Sequence, residues 1–144
     1  RFFPEHRVRM VAERMGEEFP SLVRCLETDS GGELLCECEM VSRAEIELVA
    51  RDEASHFLHD IRFRTRMGMG TCQGAFCSLR AIGALTAADV SFATQPRENL
   101  CSFLQERWRG LRPVMWGNQM QEIELGRAIY AATLNLDGAD DESL

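Results

Sequence analysis

What most constrains this chain is the placement of four of its six cysteines. Cys36 and Cys38 form a C-x-C pair, and Cys72 and Cys77 form a C-x4-C pair thirty-three residues further on. Gly68, Gly70 and Gly74 crowd around Cys72. Glycine is what a loop needs where its backbone must take positive φ or come close to a bulky inorganic group, so Arg66 to Cys77 reads as a loop wrapped about a metal centre. The fold has to carry two distant segments to one place.

Four thiols, with no histidine inside either pair, suit soft metals, either zinc or an iron-sulfur cluster. Zinc knuckles and ribbons usually repeat C-x2-C, whose short reach chelates one tetrahedral ion. The unequal pairs here fit a wider object more easily, two irons bridged by sulfides with two thiolates on each. Cys36, Cys38, Cys72 and Cys77 are therefore the candidate metal and cofactor ligands. The plainer alternatives are small buried hydrophobes, or a zinc ion joining two helix pairs in a redox-silent docking module. Cys25 and Cys101 have no cysteine partner nearby and read as core packing. His56 and His59 stand at i, i+3 and have a spacing that suits zinc or a Rieske centre, but four thiols already complete a cluster. Gly68-x-Gly70 follows a helical pattern, not a strand, and is set aside as a dinucleotide fingerprint.

Composition removes other classes. The formal net charge is -7, so a nucleic-acid backbone would be repelled, which counts against an iron-sulfur helix-turn-helix regulator. All sixteen basic residues are arginine, which excludes a phosphate-loop lysine and Schiff-base chemistry. No apolar run is long enough to span a bilayer and no secretory pattern is present, so the cysteines read as metal ligands in a reducing, cytoplasmic setting. The opening Arg1-Phe2-Phe3-Pro4, without a methionine, reads as the start of an excised domain.

Hydrophobic periodicity predicts an all-α chain. Val8, Val11, Ala12 and Met15 mark a first helix, opened by Pro4 and closed by Gly16, and Pro20 opens a second with Leu22, Val23 and Leu26. Residues 1–28 form a helical hairpin or linker, and Asp29-Ser30-Gly31-Gly32 a break. Ser42 and Glu45 form a capping box with Val41 and Ile46 as its staple, ahead of Val49 and Ala50. Ser55 is expected to cap the next helix, with Phe57, Leu58 and Ile61 buried. A third runs through Phe76, Leu79, Ile82 and Leu85 from about Cys77, setting that thiolate at a positive helix end. Residues 33–90 make the metal-binding domain and 94–136 a helical extension. In the extension Leu100, Phe103 and Leu104 share a face that Gly110 closes, and Asn118 caps the final helix. Residues 137–144 form an acidic tail. Arg62, Arg64, Arg66 and Arg80 are either a solvated face or charges that offset a thiolate-bound centre. Trp108 and Trp116 read as packing residues, either in the core or against a further domain of the parent chain.

Leu35-Cys36-Glu37-Cys38-Glu39 and Gly68-Met69-Gly70-Thr71-Cys72-Gln73-Gly74 resemble the bacterioferritin-associated-ferredoxin-like two-iron two-sulfur (2Fe-2S) domain. The form they resemble more closely ends the large subunit of FAD-dependent anaerobic glycerol-3-phosphate dehydrogenases. The likeness continues through Phe103-Leu104-Gln105-Glu106-Arg107-Trp108-Arg109-Gly110 and Pro113-Val114-Met115-Trp116-Gly117, and covers Leu34 to Leu136. The small ferredoxin closes with C-x2-C; the C-x4-C here is the form associated with the flavoproteins. The resemblance implies a cluster on Cys36, Cys38, Cys72 and Cys77 that relays electrons from FAD, held elsewhere on the parent chain, toward a quinone-linked acceptor. It implies as partners the parent's flavin domain, a second flavoprotein subunit and a membrane-associated iron-sulfur subunit. The protein would then lie on the inner face of the cell membrane through those subunits. The fragment alone carries no flavin-binding pattern and is expected not to be catalytic.

Overall fold

The computed structural model describes residues 5–28 and 30–135, with the backbone alone at 92 and 94. Pro4, Asp29 and the acidic tail lie outside the described residues. The chain divides into two compact units, Arg1–Pro96 and Arg97–Leu144.

The first unit is built on helix α3, Arg43–Ala50, which packs against α2 (Phe19–Leu26), α4 (Leu58–Thr65) and α5 (Cys77–Ala87). Helix α1, Glu5–Met15, lies on α2 and α4. The reason α3 is central is compositional: Ile46 and Val49 are wholly buried, and Ala44 and Ala50 let neighbouring helices come close. Its start follows the expected capping box, with the Ser42 hydroxyl accepting from the Glu45 N–H and Glu45 accepting from the Ser42 N–H. Val41 and Ile46 are both fully buried. The Glu45 carboxylate is itself buried, and Arg14 of α1 reaches it at 2.6 Å. Removing one partner of such a pair costs about 3–5 kcal/mol, because it strands a desolvated charge.

Ahead of α3 the chain makes a two-stranded antiparallel hairpin, β1 (Leu34–Cys36) with β2 (Val41–Ser42). The all-α class holds, with this short hairpin carrying the C-x-C segment. Strands of three and two residues are too short for alternation to register in the sequence.

Several local expectations are corrected. The α4 start falls at Phe57, not Ser55, because one Asp60 carboxylate oxygen accepts from both the His56 and Phe57 N–H groups, at 2.9 Å each. A carboxylate that satisfies two orphan donors at a positive helix end outweighs a single hydroxyl. Phe57 and Val23 face solvent, as do Phe76 and Leu79, while Leu22, Leu26, Leu58, Ile61, Ile82 and Leu85 are buried.

In the second unit α6 spans Pro96–Leu111 and buries Leu100, Phe103, Leu104 and Trp108, while Trp116 is 80% exposed. Helix α7, Asn118–Leu134, begins after Gly117 at φ 57°, so Asn118 is its first residue and not its cap. Arg97 donates twice to the Asn135 carbonyl, tying the start of α6 to the end of α7. Among the described residues no helix is long and apolar enough to cross a membrane.

Candidate metal centre

Cys36 ends β1, Cys38 sits in the hairpin turn, Cys72 lies in the glycine loop and Cys77 is the first residue of α5. All four line one cavity of about 430 Å3, together with Leu35, Glu37, Phe76 and Arg80. Cys36 and Cys77 are buried, Cys72 is half-buried and Cys38 is exposed, so the cavity has an inner and an outer pair of thiols. In the outer pair the Cys38 and Cys72 Sγ atoms are 3.6 Å apart, and the Thr71 hydroxyl is also 3.6 Å from Cys38.

The glycine loop is shaped by a succession of left-handed residues. Arg66 closes α4 at φ 65°, Gly68 follows at 75°, and Gln73 and Gly74 stand at 50° and 86°. Met67 is wholly buried and anchors the loop between them. The Gln73 amide donates to the Met69 and Gly70 carbonyls, and the Ser78 hydroxyl donates to the Gly74 carbonyl. At Gly70 a Cβ would meet the Cys38 Cβ at 2.3 Å, a distance real carbons do not reach.

Within the inner pair the protons are unevenly shared. The Cys77 thiol donates to Cys36 and holds it down to about 6 from an ordinary 9.0, helped by the Gly68 and Glu39 N–H groups and opposed by burial. Cys77 is pushed up by that same bond and by burial. Cys77 stands at the start of α5 as expected, and the bond it donates leaves Cys36 the lowered member of the pair. Cys38 is lowered too, first by the Cys72 backbone N–H and then by the Thr71 hydroxyl.

Charged side chains hold the C-x-C turn from three helices. Arg80 of α5 reaches Glu37 at 3.1 Å and the Leu34 carbonyl. Arg66 reaches the Glu39 carboxylate at 2.9 Å, and Arg14 of α1 donates to the Glu39 carbonyl at 2.9 Å. Arg64 points elsewhere, to Glu18 and Asp52. The roles of Arg14, Glu37 and Glu39 escaped the sequence reading. The only hint was the C-E-C-E alternation, and no local pattern links Arg14 to a turn twenty-five residues away.

The remaining candidates stay outside. Cys25 is exposed, which corrects the core reading, and it lines a separate cavity; Cys101 is buried in α6. His59 stacks on Phe57 with ring centroids 5.1 Å apart, and His56 lines a third cavity. Among the described residues no group of three or more His, Cys, Asp or Glu is already set for a single metal ion.

No protein-family model matches the chain, and no solved structure matches it significantly. Among curated proteins it is 40% identical to one subunit of the anaerobic glycerol-3-phosphate dehydrogenase of Escherichia coli over 111 residues, 77% of this chain and 20% of the relative. The Haemophilus influenzae protein of the same name is 38% identical over 104 residues, 72% of this chain and 18% of the relative. An anaerobic glycerol-3-phosphate dehydrogenase subunit from Haloferax volcanii is 38% identical over 129 residues, 90% of this chain and 21% of its own. The chain thus spans about a fifth of the length of the curated relatives it matches and is homologous to that portion of them.

Proposed function

We propose that this chain is the electron-relay part of a flavin-dependent glycerol-3-phosphate dehydrogenase, with Cys36, Cys38, Cys72 and Cys77 holding a two-iron two-sulfur cluster. The observation that carries the proposal is four thiols from two distant sequence pairs lining one cavity, in a chain homologous to part of an anaerobic glycerol-3-phosphate dehydrogenase. The donor set fits such a group. All four donors are sulfur, two of the thiols are shifted toward the thiolate that binds metal, and Gly70 leaves out the one Cβ that would force the two loops apart.

When bound, the cluster supplies one-electron transfer between a reduced flavin and a quinone-linked acceptor. The chain's own residues do the rest. Cys36 and Cys77 hold the buried side, while Cys38 and Cys72 hold the side open to a partner. Arg80, lining the cavity, favours the more negative reduced state. FAD and the oxidation of glycerol 3-phosphate belong to the rest of the parent chain. The partners are that flavin domain, a second flavoprotein subunit and a membrane-associated iron-sulfur subunit, which would keep this cytoplasmic protein at the inner membrane face.

The deciding experiment is purification without oxygen. Red-brown protein with iron and acid-labile sulfide in equal amounts supports the relay. Colourless protein with one zinc per chain would refute it in favour of a redox-silent docking module.

A further inference from the structure

We infer that Arg14, in the N-terminal helix, is a positioning residue for the metal-binding turn, acting through the carbonyl of Glu39; the inference rests on the reading of the four thiols as cluster ligands. The Arg14 side chain is 7% exposed and its two terminal nitrogens do different things. Nη1 lies 2.6 Å from Glu45 Oε1, and Nη2 donates to the Glu39 carbonyl at 2.9 Å. Glu45 is fully buried, and its other oxygen accepts from the Ser42 N–H at 2.8 Å and the Ser42 hydroxyl at 2.6 Å. The carboxylate is therefore fixed to the start of α3, and it fixes the guanidinium in turn. Because that group is a rigid planar fork, pinning one arm aims the other.

What the second arm holds is the residue directly after Cys38. The next residue, Met40, is in the left-handed region at φ 52° without being glycine, a backbone state that the surroundings have to enforce. The ion pairs on this turn are weaker: Arg66, which holds the Glu39 carboxylate, is 61% exposed and Glu37, held by Arg80, is 76% exposed. The chain of bonds from Ser42 through Glu45 and Arg14 to Glu39 thus connects the buried start of α3 to the C-x-C ligands. It assigns α1 a part in the metal centre, although no α1 residue lines the cavity.

The test uses Arg14→Lys, which keeps a cation for Glu45 but has one nitrogen where two are needed, with Arg64→Lys as control. Hydrogen exchange is followed in the peptide covering residues 36–41 of the metal-free chain, and the visible circular dichroism of the anaerobically loaded chain is recorded beside it. Losing a charge-assisted bond to this half-buried carbonyl should speed exchange of that peptide about tenfold and alter the visible spectrum, with other peptides and the control unchanged. Unchanged exchange in Arg14→Lys overturns the inference, and so does a uniform rise across all peptides, which would make Arg14 a general stability residue. Wild-type chain that takes up no chromophore instead defeats the cluster reading, and exchange in the metal-free chain still decides the role of Arg14.

Discussion

A Cβ placed on Gly70 would lie 2.3 Å from the Cys38 Cβ, so the glycine loop and the C-x-C hairpin pass each other at backbone contact distance. Gly70→Ala must therefore separate them. The helical content should survive, because the clash is confined to two surface loops, but iron and sulfide uptake on anaerobic reconstitution should fall several-fold. The matched control is Gly83→Ala in α5, where a Cβ meets nothing within 4 Å. It should bind normally and be more stable by about 0.5–1 kcal/mol. Equal uptake by both variants would mean that the close approach does not matter.

The sharing of protons between Cys36 and Cys77 gives a pH dependence. The folded value of Cys36 lies below its ordinary 9.0, at about 6. The unfolded chain therefore binds more protons between those values, so metal-free stability rises with pH from about 6 to 9 and the Cys36 contribution is lost as pH falls through about 6. Cys77 is shifted the other way, so its contribution is full below 9.0 and is lost as pH rises beyond it. Thiolate absorbance of the metal-free chain should show one group ionising near pH 6. In Cys77→Ala that group should move up toward the free-thiol range, because the donated bond is gone. A transition that stays in place would assign the low value to another cause.

Arg80 lines the cavity, whereas Arg64 is directed at Glu18 and Asp52 and is not among the lining residues. Reduction adds negative charge, so Arg80→Ala should lower the reduction potential of the loaded chain, by about a few tens of millivolts at this exposure. Arg64→Ala should leave it where it was. Glu37 pairs with Arg80, and adding Glu37→Gln to Arg80→Ala should recover part of the loss. Potentiometric titration that finds the four proteins indistinguishable would return Arg80 to a structural role.

On the proposed function, Cys72→Ser in the full-length parent should leave glycerol 3-phosphate able to bleach the flavin, because that reading assigns the oxidation to FAD. Quinone-coupled turnover should be lost while the subunits stay assembled. If the variant instead loses partner subunits, and excess partner restores turnover by mass action, the docking reading is the better one. Stopped-flow flavin reduction measured beside steady-state turnover separates the two.

Helical elements were legible where their cause is local. The Ser42–Glu45 box, the start of α5 at Cys77 and the burial of Leu22 with Leu26 or Leu58 with Ile61 follow from side chains three or four positions apart. The misread burials share one feature. Phe57 and Cys25 are apolar side chains whose burial depends on whether another element covers them, and Phe57 is 45% exposed and Cys25 exposed.

By itself the sequence determined the helical class and brought out two close cysteine pairs as the candidate ligands, because propensity, capping and residue spacing act over a few residues. Tertiary structure alone decided that the pairs face one cavity, that Cys77 donates to Cys36 and lowers it, and that Arg14 reaches across to the Glu39 carbonyl. Those outcomes depend on burial and on contacts between residues twenty-five or more positions apart, and no local pattern encodes a distance that only packed helices create.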